Sequence, residues 1–272
     1  MLMSLMEHKA AEERLPLHTV CAEALHLAIL EGLFAFPQRT AYAFQGGTSI
    51  HLLHGGYRFS EDLDFAGEHL SHAEAARIVN SAQREIEKHV IQLFEPGHHH
   101  WKLGKAANGR RIYTVWYSFQ PQGKNLKFRV KIEFAQYPVY HRIPLPLRSN
   151  FDLLQRLPLV VGLSAGELMA EKITAVAGRE YVKGRDLFDL WYFREVLRTP
   201  LDAELVQKKF RDYSVKSSRN VVLRKLNSYP DKMMIAEMSR FLPLRYRQML
   251  EQDGYRVVRS SAFTAMQEAL SV

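Results

Sequence analysis

The chain has 272 residues, of which 47% are hydrophobic and 24% are charged, and its formal net charge is +8. These proportions are those of a folded globular protein and exclude an intrinsically disordered chain, and the length allows one large or two modest domains. The single Cys21 excludes an internal disulfide, and an N-terminus interrupted by glutamates predicts no secretion signal. We therefore expect a cytoplasmic protein with no membrane partner.

The first half of the chain predicts short helices and strands in alternation. In order, we expect a helix over 5–35, a strand over 41–45, a helix over 48–54, a strand over 62–66, and a helix from 72 to about 90. Ser71 and Glu74 form a capping box that marks the start of the last helix. The pattern is typical of a mixed α/β domain.

A hairpin follows, with strands over 112–119 and 126–135 joined through Pro121 and Gly123. Before it, His98-His99-His100 places three potential metal ligands in a row. Three consecutive side chains cannot all face one ion in a regular element, so we interpret this run as a polar loop.

Beyond Pro158 the pattern becomes helical. Ser164 and Glu167 form a second capping box, another helix starts near Arg185, and several helices follow Leu201, separated by Pro230, Pro243 and Gly254. The predicted fold class is α/β, more narrowly α+β. It comprises a mixed-sheet domain with N-terminal helices over 1–157 and a helical domain over 158–272.

Positive charge is concentrated between Trp101 and Asn150, where ten Lys or Arg residues stand against the single acid Glu133. Aromatic residues interleave with these cations. The pattern suits a phosphate-rich partner such as RNA, because cations neutralise the backbone and aromatic faces stack on bases. Lys127, Arg129 and Lys131 are the predicted RNA contacts. A soluble basic surface over a hydrophobic core is the alternative.

The segment from Phe44 to Phe65 gathers two Gly-Gly pairs, a Thr-Ser step and two aspartates. Gly46 and Gly47, followed by a helix that opens with Thr48 and Ser49, would place backbone N–H groups and hydroxyls at a positive helix end, where a phosphate can bind. Gly-Gly before a short helix is also common in ordinary turns.

Two carboxylates follow on the next predicted strand. Asp62 and Asp64 project from one face, where like charges repel unless a cation holds them. Such a pair can hold one or two Mg²⁺ ions against the phosphates of a nucleoside triphosphate. Glu133, on the polar face of strand 126–135, could help bind metal or accept a proton from an attacking hydroxyl. Alternatively, it pairs with a neighbouring Lys or Arg.

The glycines and aspartates of this segment resemble those of a known enzyme family. Gly46-Gly47-Thr48-Ser49 followed by Asp62-Leu63-Asp64 is similar to the first motif of the DNA polymerase β-like nucleotidyltransferases. More narrowly, the string RFSEDLDF over 58–65, with AEKITAVAGREYVKGRDLFDLWYF over 170–193, resembles the AbiEii/AbiGii toxins of type IV toxin–antitoxin systems.

The resemblance implies a nucleotidyltransferase fold and a division of labour among residues. Asp62 and Asp64 would hold Mg²⁺, and Lys172 and Asp186 would match further active-site positions of the family. The nucleotide would be bound by Gly46, Gly47, Thr48, Ser49, Arg58 and Lys172. The implied reaction transfers a nucleotide from an NTP to the 3′ end of tRNA, and the implied further partner is a cognate antitoxin.

The second matched string can also be interpreted from its residues alone. Lys172 and Arg179 are seven positions apart, so on a helix they lie on nearly the same face and could grip a triphosphate. Asp186 and Asp189 lie in the first turns of a predicted helix, where the helix dipole favours acids and Arg185 can pair with Asp189. Helix capping and pairing is therefore the alternative for these aspartates.

Three other functions stay open at this point. A metal-dependent nuclease also uses clustered carboxylates, although it would not need the Gly-Gly-Thr-Ser step. A non-catalytic RNA-binding module could use the same basic face and would be indifferent to Asp64→Ala. The same enzyme could also use a protein hydroxyl as the nucleotide acceptor.

Overall fold

A computed structural model describes residues 2–36, 40–104, 111–149 and 158–271. The chain forms two compact units. One contains the residues up to Gly55 together with Phe59–Leu163, and the other contains Gly56–Arg58 together with the residues from Ser164 onward.

The first unit is built on a mixed sheet. Its elements in chain order are α1 (Leu2–Glu13), α2 (Leu17–Phe34), β1 (Ala43–Gln45), α3 (Gly46–His54), β2 (Asp62–Ala66), α4 (His72–Phe94), β3 (Gly97–Leu103), β4 (Ile112–Pro121), β5 (Phe128–Ala135), β6 (Arg142–Pro146) and β7 (Leu159–Leu163). The strand order is β3-β4-β5-β2-β1-β7-β6. The pairs β2–β5 and β1–β7 are parallel, and the other neighbours are antiparallel.

Alternation along the strands separates an apolar face from a polar face of this sheet. On β5, Phe128, Val130, Ile132 and Phe134 are buried, whereas Arg129 between them is exposed. Because successive strand residues point to opposite faces, the polar residues of β2 and β5 share one side. Helix α2 packs against α4 and β5, and most of its buried residues are apolar.

By length and composition, α2 is the one helix among the described residues that could cross a membrane. It is 83% buried inside the structure. Such burial is typical of the central helix of a folded core.

The second unit is helical, as the sequence predicts. Its helices are α5 (Ala165–Gly178), α6 (Gly184–Trp191), α7 (Ala203–Asp212), α8 (Arg219–Asn227), α9 (Asp231–Met238), α10 (Leu244–Glu251) and α11 (Arg256–Ala269), and a π-helical segment, Tyr192–Val196, follows α6. Helix α6 packs against α5, α9 and α11. The Ser164 half of the predicted capping box is present, since its side chain accepts a hydrogen bond from the Glu167 N–H at 3.2 Å, whereas the Glu167 carboxylate pairs with Lys209.

The structure confirms the mixed α/β fold class and corrects two local predictions. The single helix predicted over 5–35 is two helices, because Arg14 adopts φ 49° and Pro16 follows it. The run His98-His99-His100 is part of strand β3 and not a loop. β3 pairs with β4 along its length, and His99 Nδ1 lies 2.8 Å from the Tyr117 hydroxyl. Strands β6 and β7 were not predicted.

Candidate active site

The parallel pairing of β2 with β5 brings the predicted acids of the first unit together. In the register of this pair, Asp64 is the partner of Glu133, and Asp62 is the partner of Lys131. Lys131 Nζ lies 2.9 Å from Glu133 Oε2 and 3.3 Å from Asp62 Oδ2. We call Asp62, Asp64, Lys131 and Glu133 the strand cluster.

Lys131, one of the predicted RNA contacts, is half-buried and paired with the acids of the strand cluster. Burial disfavours its charged form, but the hydrogen bond to Glu133 and the charges of Asp62 and Glu133 outweigh burial and raise the pKa of Lys131. The side chain is therefore an ammonium at neutral pH, and it serves as a partner of the acids. Lys127 and Arg129 on the same strand face are exposed.

Glu133 has a partner on each carboxylate oxygen. Oε2 pairs with Lys131, and Oε1 accepts a hydrogen bond from Thr114 Oγ1 at 3.3 Å. The pairing with a neighbouring lysine, which the sequence left open as an alternative, is thus present. It orients the carboxylate beside Asp64.

Gly46 lies directly against the second aspartate of the strand cluster. Its φ of 78° is in the left-handed region, where glycine is favoured, and an added Cβ would overlap the Asp64 carboxylate. The turn between β1 and α3 therefore needs glycine for two reasons. On the other side of this turn, Gln45 is the register partner of Asp64, and its buried Oε1 has no hydrogen-bond partner among the described residues.

Helix α3 begins at Gly46, and the side chain of its N-cap residue, Gln45, makes no capping hydrogen bond. Its first N–H groups point out of the helix and suit an anion. The hydroxyls of Thr48 and Ser49 are buried and donate to the carbonyls of Asp62 and Phe44. These two hydroxyls anchor α3 to β2 and β1, so the predicted phosphate contacts of Thr48 and Ser49 would be made by their backbone N–H groups. The backbone at Gly46 and Gly47 stays a candidate.

The donor set of the strand cluster suits a hard divalent cation. Carboxylate oxygens are preferred ligands of Mg²⁺, and Asp62 is 43% exposed. Within the described ranges, no three His, Cys, Asp or Glu side chains are grouped so as to hold a metal ion by themselves. Two carboxylates still fit Mg²⁺, because it commonly takes its remaining ligands from water and substrate phosphates. The unpaired Gln45 oxygen beside Asp64 is a further acceptor at this place.

The second unit contains a buried group of ion pairs. Lys172 Nζ lies 3.0 Å from Asp186 Oδ1 and 2.7 Å from Asp189 Oδ2. Arg58 Nε and Nη2 each lie 2.6 Å from an Asp189 oxygen, and Arg179 pairs with Asp186. We call Arg58, Lys172, Arg179, Asp186 and Asp189 the helix cluster.

The helix cluster has three cations and two carboxylates, so it carries one positive charge in excess. Burial disfavours the charged form of Asp189, but Arg58 and Lys172 outweigh it and hold the pKa of Asp189 below its usual range. Arg179 is 41% exposed, whereas Lys172 is 12% exposed. An anion from solvent would therefore meet Arg179 first.

Two arginines of this region have partners that the sequence did not predict. The side chain of Arg58, a predicted phosphate contact, is 4% exposed and binds Asp189 through two nitrogens. Arg185 was expected to pair with Asp189, but its Nε lies 3.0 Å from Glu237 Oε1.

Sequence reasoning gave Asp189 less weight than Asp186, yet Asp189 is the acid that joins Arg58 to Lys172. Its spacing of three positions from Asp186 on α6, which puts both on neighbouring parts of one helix face, is the signal that could have found it.

The basic segment presents most of its charge to solvent. Among its described cations, Lys131 is half-buried, and the exposed ones are Lys102, Arg111, Lys124, Lys127, Arg129, Arg142 and Arg148. Its described aromatic residues are mostly core, apart from the partly exposed Trp101 and Trp116 and the exposed Tyr140. The Arg129 guanidinium lies 5.4 Å from the ring centroid of Trp116. Among the described residues of this segment, the rings that can stack on bases are therefore Trp101, Trp116 and Tyr140.

Comparison with known proteins bears on the whole chain. Residues 28–267 match the profile of the nucleotidyl transferase AbiEii toxin family of type IV toxin–antitoxin systems. The nucleotidyltransferase toxin MenT4 from Mycobacterium tuberculosis is similar in structure, with a TM-score of 0.58, 18% identity and 98% of each chain covered. JHP933 from Helicobacter pylori has a TM-score of 0.55 and 15% identity, and the match covers 94% of this chain and 95% of JHP933. No curated protein matches the sequence.

Proposed function

Because this chain belongs to the AbiEii nucleotidyltransferase toxin family of type IV toxin–antitoxin systems, we propose that it transfers a nucleotide from an NTP to the 3′ end of tRNA in the cytoplasm. The observation that carries the proposal is the strand cluster, in which Asp62 and Asp64 share a sheet face beside the first turn of α3. The proposed partners are the NTP, tRNA and a cognate antitoxin.

The proposed roles follow from the position of each group. Asp62 and Asp64 hold Mg²⁺, which would neutralise charge on the triphosphate when bound. The N–H groups at Gly46 and Gly47 bind a phosphate at the positive end of α3. Gly46 has no side chain, so the phosphate can approach the backbone next to Asp64.

In the proposed reaction, a ribose hydroxyl of the acceptor attacks the α-phosphorus of the NTP. A new phosphodiester bond forms, the bond to the β-phosphate oxygen breaks, and pyrophosphate leaves. Glu133 lies next to Asp64 across the β2–β5 pair and is the proposed acceptor of the hydroxyl proton. Thr114 and Lys131 orient it for this role.

The helix cluster supports a second part of the proposal. Its excess positive charge suits a phosphate group, and Lys172 and Arg179 are the cations with access to solvent. Asp186 holds both of them, and Arg58 with Asp189 fixes Lys172 from the buried side. We assign phosphate binding to Lys172 and Arg179, and a positioning role to Arg58, Asp186 and Asp189.

A labelling experiment tests the proposed function. The protein is incubated with Mg²⁺ and each of the four α-labelled NTPs in turn, with total tRNA or with a protein extract. We expect label on tRNA with a preferred NTP. Periodate-oxidised tRNA, which has lost its terminal 2′,3′-diol, should stay unlabelled.

Asp64→Asn is the matched control, since it keeps the shape of the side chain and removes its charge. Label on proteins and not on tRNA would show that the nucleotide acceptor is a protein. Shortened RNA without label would favour a nuclease instead.

A further inference from the structure

The strand cluster contains an ammonium group where a second metal ion would be expected beside its carboxylates. We propose that Lys131 is a built-in counter-cation that limits this site to one divalent ion, held by Asp62 and Asp64. The inference rests on the proposed function only in taking these two aspartates as the metal ligands.

The position of Lys131 is fixed by the sheet. β5 lies between β4 and β2, and Lys131 is the register partner of Asp62. Its Nζ bridges Asp62 Oδ2 at 3.3 Å and Glu133 Oε2 at 2.9 Å. An ion bridging Asp62 and Glu133 would have to displace this ammonium.

The charges of the cluster agree with this assignment. Lys131 already places one positive charge between two of the carboxylates, Asp62 and Glu133. A second divalent ion would add positive charge next to a fixed ammonium, and like charges a few ångströms apart repel strongly even at a protein surface. Lys131 also holds Glu133 away from metal coordination, so that its carboxylate stays oriented by Thr114.

Lys131 therefore acts as a positioning residue with a direct consequence for metal binding. With the ammonium present, Glu133 does not coordinate a metal ion. Its carboxylate can then accept a proton. Without it, three carboxylates of the same sign would share one sheet face, and a second divalent ion would be the group that relieves their repulsion.

Binding of Mn²⁺ to the full chain without nucleotide tests the proposal, measured by calorimetry and by the loss of the free-Mn²⁺ spin-resonance signal. The wild type should bind one ion at the strand cluster. Lys131→Met should bind a second ion, because the positive charge that occupies its place is removed. Its melting temperature should fall in the absence of metal and rise more than that of the wild type when Mn²⁺ is added.

Lys127→Met is the matched control, since it removes the same charge near the start of the same strand without touching the acids. Its Mn²⁺ binding should equal that of the wild type, as should that of Lys131→Arg, which keeps the charge. Lys131→Gln replaces the Met variant if the latter does not fold.

Unchanged stoichiometry and affinity in both neutral variants would overturn the role of Lys131. Asp64→Asn separates this failure from failure of the proposed function. If Asp64→Asn loses Mn²⁺ binding while the Lys131 variants match the wild type, only the present inference is wrong. If Asp64→Asn binds Mn²⁺ as the wild type does, the proposed metal site itself is wrong.

Discussion

The strand cluster and the helix cluster pair the same chemical groups, lysine and aspartate, in different surroundings. Asp62 of the strand cluster is 43% exposed, whereas Asp189 of the helix cluster is 1% exposed. Water screens the first pair, so its net contribution to stability is small, about 0–1 kcal/mol. In the second pair, loss of one partner leaves a buried charge without compensation. The side chains of the strand cluster can therefore leave their partners to bind a ligand, whereas the helix cluster stabilises a fixed arrangement of side chains.

The largest effect is expected from Asp64→Asn, which isolates the chemistry of the strand cluster. Nucleotide transfer should fall by more than about 10³-fold, because a metal ligand that acts on the reacting phosphates is lost. The free energy of unfolding should change less than it does for Asp189→Asn, since the substitution also relieves repulsion with neighbouring acids. Transfer assays and urea unfolding measure the two quantities. A large loss of stability would mean that the two clusters do not differ as described.

Asp189→Asn should have its main effect on stability, in contrast to Asp64→Asn. Removing this charge leaves Arg58 buried without its carboxylate, so the free energy of unfolding should fall by about 3–5 kcal/mol. Urea unfolding measures the loss. Glu204→Gln is the control, because it breaks the surface pair of Glu204 and Lys208 and should cost no more than about 1 kcal/mol. Equal effects of the two substitutions would contradict the buried role of Asp189.

Lys172→Met tests whether the helix cluster also serves the reaction. From sequence alone, Lys172 is an exposed helix residue whose removal barely affects stability. Its burial between Asp186 and Asp189 corrects this, and we expect a loss of about 1–3 kcal/mol from the unpaired polar groups left behind. Transfer should slow by about 10²–10³-fold at temperatures where the variant is folded, as when one electrostatic stabiliser is removed.

Lys232→Met, an exposed lysine on α9, is the charge-matched control for this experiment. It should transfer nucleotides at the wild-type rate. If folded Lys172→Met does so as well, the helix cluster is a stability element only.

The smallest effect concerns the exposed cations beside the strand cluster. The double variant Lys127→Met/Arg129→Met should weaken RNA binding and reduce the slope of log affinity against log salt by about 0.7–0.9 for each lost phosphate contact. Filter binding over a range of salt concentrations measures the slope. An unchanged slope would place the RNA on another surface. The variant leaves Lys131 intact, because its ammonium is held by Asp62 and Glu133.

The sequence by itself determined most of the elements and the residue types of both clusters. The strand at Asp62–Ala66, the hairpin, the N-caps at Ser71 and Ser164 and the helices separated by Pro230, Pro243 and Gly254 all follow from local patterns. Such patterns are readable because hydrophobic alternation, caps and turn residues act over a few neighbouring positions. The two aspartates on one strand face and the glycines before α3 belong to the same class of local signal.

Only the tertiary structure decided which of these residues are partners. The parallel pairing of β2 with β5 sets Lys131 between Asp62 and Glu133, and no local pattern encodes that register. In the same way, Arg58 and Asp189 are far apart in the chain, so their ion pair depends on how the chain folds back on itself. The fold also buries this pair, and burial makes the pair costly to break. An isolated lysine or arginine in a sequence is a surface charge by default. Its role is settled by the carboxylates that packing brings to it and by the water that packing removes.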